Sequence, residues 1–144
     1  MNADIIELAE YLARNTPDSL VAKAVVNKEV EAEIVELNTD QLDQFEDSEE
    51  RKLADIGGEY TKTTQELKGA GPREVNLNDT GEMWESFEIN PIKGGFEIEA
   101  DTFKEGVDLR IRWGEKIEGL NRENLEKANG IIEKEIWRQA EKNI

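Results

Sequence analysis

Apolar residues recur at helical spacing through the first 45 positions. Ile5, Leu8, Ala9 and Leu12 follow an i, i+3, i+4, i+7 rule that predicts an amphipathic helix, and Asn15-Thr16-Pro17-Asp18 breaks it. Asp18 or Ser19 is placed to cap a second helix. Leu20, Val21, Ala24 and Val25, and later Val30, Ile34 and Leu37, keep the helical period, whereas a strand would need alternation over the same stretch. Asn38 and Thr39 read as a stop and a new cap, with Leu42 and Phe45 forming one short apolar face. Between Glu46 and Glu59 the periodicity fades: Ser48 can cap a turn ending at Gly57-Gly58, or the segment is an exposed excursion.

The pattern changes after Lys68-Gly69-Ala70-Gly71-Pro72-Arg73, where two glycines and a proline forbid a continuous helix. Phe87 and Ile89, then Phe96 and Ile98, alternate with polar residues on either side of Asn90-Pro91-Ile92-Lys93-Gly94-Gly95, which predicts a hairpin. Val107, Leu109, Ile111 and Trp113 alternate with Asp108, Arg110 and Arg112 and predict a third strand. Asn121 can cap a last helix with an apolar stripe at Leu125, Ala128, Ile132, Ile136 and Ala140, and Gly130 inside it suggests a bend or a close contact. The expected fold class is α+β in a single domain over 1–144. Helices fill 1–45, and a polar connector over 46–76 holds a short helix at 61–68. An antiparallel sheet of about three or four strands lies within 77–113, and the helix over 121–143 packs on it.

Composition alters this picture by showing where charge collects. The chain of 144 residues carries 34 acids against 18 bases, a formal charge of −16. Residues 29–59 hold twelve acids and two bases, a net −10, while residues 1–28 net only −1 and residues 60–144 only −5. The acidity is therefore a block, expected to project into a lumen or onto a basic neighbour, with Glu46, Asp47, Glu49 and Glu50 as candidate interface positions. Such an excess of negative charge argues against a nucleic-acid groove or an anionic membrane surface, both of which need clustered Lys and Arg. No apolar run approaches the roughly 20 residues that span a bilayer, and the start of the chain lacks a signal-peptide pattern.

Candidate chemistry is sparse. With no Cys and no His there is no thiol nucleophile, no imidazole base and no zinc site of the usual kind, and no Asp-x-Asp-x-Asp-Gly loop suggests calcium. Glu85 beside Trp84, or Glu135 beside Trp137, would be a general acid only in an apolar pocket that raised its pKa. Ser86 has no base to activate it, and the glycine pairs lack the phosphate-loop pattern. We expect no enzyme, no metal and no cofactor. Trp84, Trp113 and Trp137 can meet where the last helix crosses the sheet, and Trp137, beside the stripe, is the one expected to face outward as an interface anchor.

Three ordered elements carry a family resemblance. The stretch Leu77-Asn78-Asp79-Thr80-Gly81-Glu82-Met83-Trp84-Glu85-Ser86-Phe87 resembles a signature of tailed-bacteriophage morphogenesis proteins, on Leu77, Thr80, Gly81, Met83, Ser86 and Phe87. In physical terms Thr80 can bond locally to the backbone, Gly81 can take positive φ and Ser86 can satisfy a chain end. Upstream, Tyr60, Thr64 and Lys68 are similar to the Tyr-Ser-x-x-Thr-x-x-x-Lys element that precedes this signature, with Thr61 where serine is usual. Downstream, Trp113-Gly114-Glu115-Lys116-Ile117 is similar to the aromatic-Gly-x-x-Ile element before the final helix. The likeness runs over about residues 37–144 and leaves the acidic stretch 46–59 without a counterpart.

The resemblance implies a virion component of the neck (head–tail connector) or tail, of the tail-completion or minor-tail type, assembled in the bacterial host cytoplasm. Its partners would be further copies of itself in a ring and other virion proteins such as portal, connector or tail proteins, with no catalysis, no sequence-specific nucleic-acid binding and no membrane contact. The rival expectation, drawn from charge alone, is an acidic inhibitor or DNA mimic that occupies a basic partner.

Overall fold

A computed structural model describes residues 5–143. Five helices come first: α1 (Ile5–Arg14), α2 (Pro17–Val25), α3 (Lys28–Asp43), α4 (Leu53–Gly57) and α5 (Lys62–Lys68). A helical turn, α6 (Glu82–Glu85), leads into the hairpin β1 (Glu88–Ile92) and β2 (Gly95–Glu99). A two-residue-per-strand hairpin, β3 (Phe103–Lys104) and β4 (Val107–Asp108), runs into α7 (Leu109–Trp113), a 3₁₀ turn over Glu115–Ile117 and the long α8 (Arg122–Lys142). The chain is α+β. Helices α2 and α3 sit between α8 and the β1–β2 hairpin, and α8 also borders β2 across a shallow cleft lined by Leu125, Ile132, Phe96 and Ile98. Val25, Ile34, Leu42, Leu53, Val75 and Ile117 are fully buried at the centre.

Local chemistry explains where the helices start. Thr16, rather than Asp18 or Ser19, caps α2: its hydroxyl accepts the Ser19 N–H at 3.1 Å, and Pro17 fills the first turn, where a missing N–H is harmless. Asn27 caps α3 by accepting from the N–H groups of Glu29 and Val30 at 3.0 and 3.2 Å. Helix α3 then runs through Asn38 and Thr39 without stopping. Asn38 is fully buried because it serves a distant segment, donating to the Ile117 carbonyl at 3.0 Å and accepting the Gly119 N–H at 2.7 Å. Gln41 extends the same link, donating to Gly119 O at 2.9 Å and accepting from Asn121 N–H at 2.7 Å. Asn121 caps α8 as the spacing predicts, accepting the Asn124 N–H at 2.8 Å. Along α8, Ala128, Ile132 and Ala140 are buried and Leu125 is exposed; a Cβ on Gly130 would meet nothing within 4 Å, so no close contact requires that glycine.

The stretch after α3 folds back onto the body instead of forming an excursion. Asp47, not Ser48, organises it: the fully buried carboxylate accepts from the N–H groups of Glu49 and Arg51 at 2.9 and 3.0 Å and from the Arg51 guanidinium at 2.8 Å. Ser48 N–H donates to the Lys116 carbonyl at 2.9 Å, and Glu46 pairs with Lys52 as an isolated antiparallel bridge. Replacing Asp47 by Ala strands two backbone donors and is expected to lower stability by about 2 kcal/mol, read as a lower urea midpoint at unchanged m-value. Glu49→Gln, at a half-exposed pair, should stay within about 0.5 kcal/mol of wild type.

The strands between residues 77 and 113 do not form the single sheet of three or four that their spacing suggests. The β1–β2 hairpin forms, but its strands run further than the spacing suggests: Asn90, Pro91 and Ile92 pair with Glu97, Phe96 and Gly95, Ile89 lies opposite Ile98, and only Lys93-Gly94 remain at the tip, with Gly94 at φ 87°. The run Val107–Trp113, however, is not a third strand. Asp108 ends the short hairpin and caps a helical turn by accepting the Arg110 N–H at 3.0 Å, while Leu109 N–H donates to the Thr102 carbonyl at 2.8 Å. Leu109 and Trp113, four apart, pack against the core, and Ile111 is 84% exposed. A period of two over four apolar residues also contains an i, i+4 pair, and the cap decides which is used. Among the described residues the strands thus form two separate two-stranded antiparallel sheets.

Candidate functional site

The three sequence elements converge on one groove. Thr61 caps α5 by accepting the Thr64 N–H at 3.2 Å, and Gly69, at φ 64°, closes it. Tyr60, just before the cap, accepts the N–H groups of Asn76 and Leu77 on its hydroxyl, both at 3.3 Å. Lys68 lies 5.3 Å from the Tyr60 ring centroid and donates to the Asn78 carbonyl and to Asn76 Oδ1. Tyr60 and Lys68 therefore clamp the start of the second element. Leu77 is held at φ 60°, a conformation costly for a side-chain-bearing residue and kept only where its surroundings enforce it. Trp84 adds to that hold, its indole N–H donating to the Asn76 carbonyl at 3.0 Å.

Beyond Leu77 the motif residues Thr80, Gly81 and Ser86 flank a helical turn, α6, and the strand begins only at Glu88. Thr80 Oγ1 accepts the Glu82 N–H at 3.4 Å, Gly81 has φ 85°, and Met83 is buried. Ser86 donates to the Met83 carbonyl at 2.6 Å and accepts the Asp101 N–H at 2.8 Å, so its hydroxyl ties the helical turn to the end of the hairpin. The third element supplies the far wall. Trp113 is 5% exposed and seated on Gly57, whose added Cβ would lie 2.5 Å from Trp113 Nε1. Arg112 sits 4.2 Å from the Trp113 ring centroid and donates to the Gly57 carbonyl at 2.5 Å, and Gly114, at φ 85°, turns the chain away.

Between these walls lies a groove of about 460 Å³. Tyr60, Thr64, Leu67 and Lys68 form one side; Lys104 and Val107 of the short hairpin, with Arg112 and Trp113, form the other. Leu77 also lines an adjoining cleft with Thr80 and Met83. Sequence patterns missed Leu67, Val107 and Lys104 as groove residues. Leu67 was legible as an apolar position late in a short polar helix, and it is 84% exposed; Val107 is 56% exposed. Lys104 pairs with Asp79, a contact no local pattern announces. Burial lowers the pKa of both Lys68 and Lys104.

Neither carboxyl that stands beside a tryptophan in the sequence lines the groove or is placed as a general acid requires. Glu135 is buried, but the Arg138 guanidinium, at 2.6 Å, draws its pKa down, which is opposite to the demand on a general acid. Glu85 is exposed. Two carboxyls that sequence spacing did not single out do shift upward: Glu99, through its hydrogen bond to Glu97, and Glu118, through burial. Glu118 accepts the Ala100 N–H at 3.0 Å and lies 3.5 Å from Arg110, a structural role. Among the described residues no group of three or more acids is arranged to hold a metal ion.

Asp108 couples the short hairpin to pH. Hydrogen bonds from the Arg110 guanidinium, then from the Thr102 hydroxyl at 2.6 Å and the Arg110 N–H, hold its carboxyl at about 2. A carboxyl depressed on folding adds stability above its unfolded pKa, near 3.8, and loses it as pH falls through about 2. Asp108→Asn should therefore flatten the acid limb of the stability curve between those values, measured by thermal melts across pH.

The acidic block is resolved into two parts. In the fold-back, Glu46 pairs with Lys52, Glu49 with Arg51 and Lys116, and Asp55 and Glu59 with Arg73. Glu50 is exposed, with φ 61°. On α3, by contrast, Glu29, Glu33, Glu36, Asp40 and Asp43 are exposed at spacings of four and three, which aligns them on one helix face. Glu33, Glu36 and Asp40 have no ion-pair partner among the described residues. The open charge therefore lies on α3, while Asp47 is an internal ligand of its own loop. Trp137 is 44% exposed on α8 and stands outside the core that holds Trp113, so the three tryptophans do not form one cluster.

Comparison with protein-family models, with curated proteins and with solved structures gave no match. Among the described residues no helix is long and apolar enough to cross a membrane.

Proposed function

We propose that this chain is a structural subunit of a tailed-bacteriophage virion, in the neck or tail, that works through subunit–subunit contacts in a ring and performs no catalysis. One observation carries the reading: Tyr60/Thr64/Lys68, Leu77/Thr80/Met83 and Trp113, up to 53 positions apart, line one groove and its adjoining cleft. The elements that resemble phage morphogenesis proteins thus act as one structural unit. The α3 stripe suits a channel wall. DNA carries a charge every roughly 1.7 Å of axis, and a wall of carboxylates lets it pass without sticking. Electron microscopy of the purified chain at high concentration should show annular particles; a field of monomers at every concentration would count against the ring.

A second reading has its own observation. Five exposed acids spaced over fifteen residues of α3 make a row of about 21 Å, the kind of surface an acidic mimic presents to a basic groove. Binding to basic host proteins that weakens steeply with salt would favour it, and salt-indifferent binding would exclude it.

A further inference from the structure

We propose that the outer edge of β2 takes on a strand from another protein, an extended segment whose side chains alternate between apolar and basic. The two edges of the β1–β2 hairpin differ. On β1 the Ile89 N–H turns away from β2 and donates to the Glu31 carboxylate at 3.2 Å, so Ile89 and Ile98 face each other without exchanging hydrogen bonds. Alternation makes Pro91 and Phe96 the next such pair. Pro91 has no N–H, so the β1 edge offers no free donor at either position. On β2 the same geometry turns the N–H and C=O groups of Phe96 and Ile98 outward, and neither N–H meets an acceptor among the described residues.

The adjacent space fits a chain. Consecutive residues from Gly94 to Ile98 border the cleft of about 570 Å³ between β2 and α8, so it follows the edge of the strand and not one face of it. Val21, Leu120, Leu125 and Ile132 supply the rest of its apolar lining. Beyond Ile98 the Ala100 N–H is already held by Glu118, which confines a guest to the groups of Phe96 and Ile98. Strand addition of this kind draws affinity from main-chain bonds and specificity from alternate side chains. Ile98 is buried, whereas the other face of the hairpin carries Glu88, Glu97 and Glu99, all exposed. None of these three has an ion-pair partner among the described residues, and Glu97 and Glu99 hydrogen-bond to each other. A guest strand extends both faces: its inward side chains meet Leu125 and Ile132, and its outward ones meet the carboxylates, which calls for Lys or Arg there. A second copy of β2 would set like carboxylates side by side, which argues against the chain itself as occupant.

The probe is an end-blocked Val-Lys-Val-Lys-Val peptide added to the isotope-labelled chain and read by NMR. Hydrogen exchange at the Phe96 and Ile98 amides should slow by about tenfold or more, while Ile89, already bonded to Glu31, stays unchanged. N-methylating either the valines or the lysines should abolish binding in one case only, because alternate N–H groups face β2. Leu125→Asn and Glu97→Lys, both at exposed positions, should each weaken binding about tenfold. The proposal is overturned by no binding at millimolar peptide, by protection at other amides in place of these two, by equal effects of the two methylations, or by affinity that neither substitution changes. Protection of Phe96 and Ile98 that rises with chain concentration in the absence of peptide also overturns it, by giving the edge to a second copy.

Discussion

Replacing Asn38 by Leu should destabilise the chain by about 4 kcal/mol, because each buried backbone group left without a partner costs about 1–3 kcal/mol. The substitution strands two, the Ile117 carbonyl and the Gly119 N–H, which Asn38 now satisfies from a fully buried position. Leu keeps the branching of Asn but is bulkier, so overpacking at this fully buried position adds to the lost hydrogen bonds. Thr39→Ala is the control. Were Asn38-Thr39 a helix stop and cap, losing Thr39 would cost about 1 kcal/mol; as a half-exposed mid-helix residue it should cost under about 0.5 kcal/mol. Urea denaturation of both variants separates the two cases.

Gly57→Ala is the second large effect, expected near 3 kcal/mol, at the upper end of ordinary overpacking. A new Cβ would lie within 2.7 Å of three atoms of the Trp113 indole, a rigid ring that cannot yield as a flexible side-chain tip can. Displacing Trp113 also disturbs Arg112, which stacks on that ring and holds the Gly57 carbonyl, so one groove wall shifts with it. A double-mutant cycle isolates the cause: in a Trp113→Leu background the Gly57→Ala cost should fall below about 1 kcal/mol. An unchanged cost there would place the strain in the α4 backbone instead.

Elements with a local signature were legible in the sequence. The Asn121 cap, the short helix over Lys62–Lys68 and the β1–β2 hairpin each carry their own start or turn chemistry within a few residues. Failures came where distant partners decide. Asn38 looks like a helix stop until Ile117 and Gly119 are beside it. Asp47 looks like one more surface acid, yet burial makes it a loop-organising ligand. Val107–Trp113 has strand periodicity that the Asp108 cap overrides. The groove was half legible: order and spacing brought Tyr60, Lys68, Leu77 and Trp113 forward together, while Leu67, Lys104 and Val107 became groove residues only when the β3–β4 hairpin faced α5.

The charge block teaches the same lesson. Counting placed −10 in residues 29–59, and the fold neutralises much of the second half with Arg51, Lys52, Arg73 and Lys116. Open carboxylates remain on α3, so neutralising Glu33, Glu36 and Asp40 is the change that tests the role of the charge without touching the core.

Mass spectrometry of purified tailed particles from the source that encodes this chain decides whether it is a virion subunit. A virion subunit gives peptides of the chain in every preparation, at a constant ratio to the portal and tail proteins. Particles that are complete and infective without it would show that it is not one.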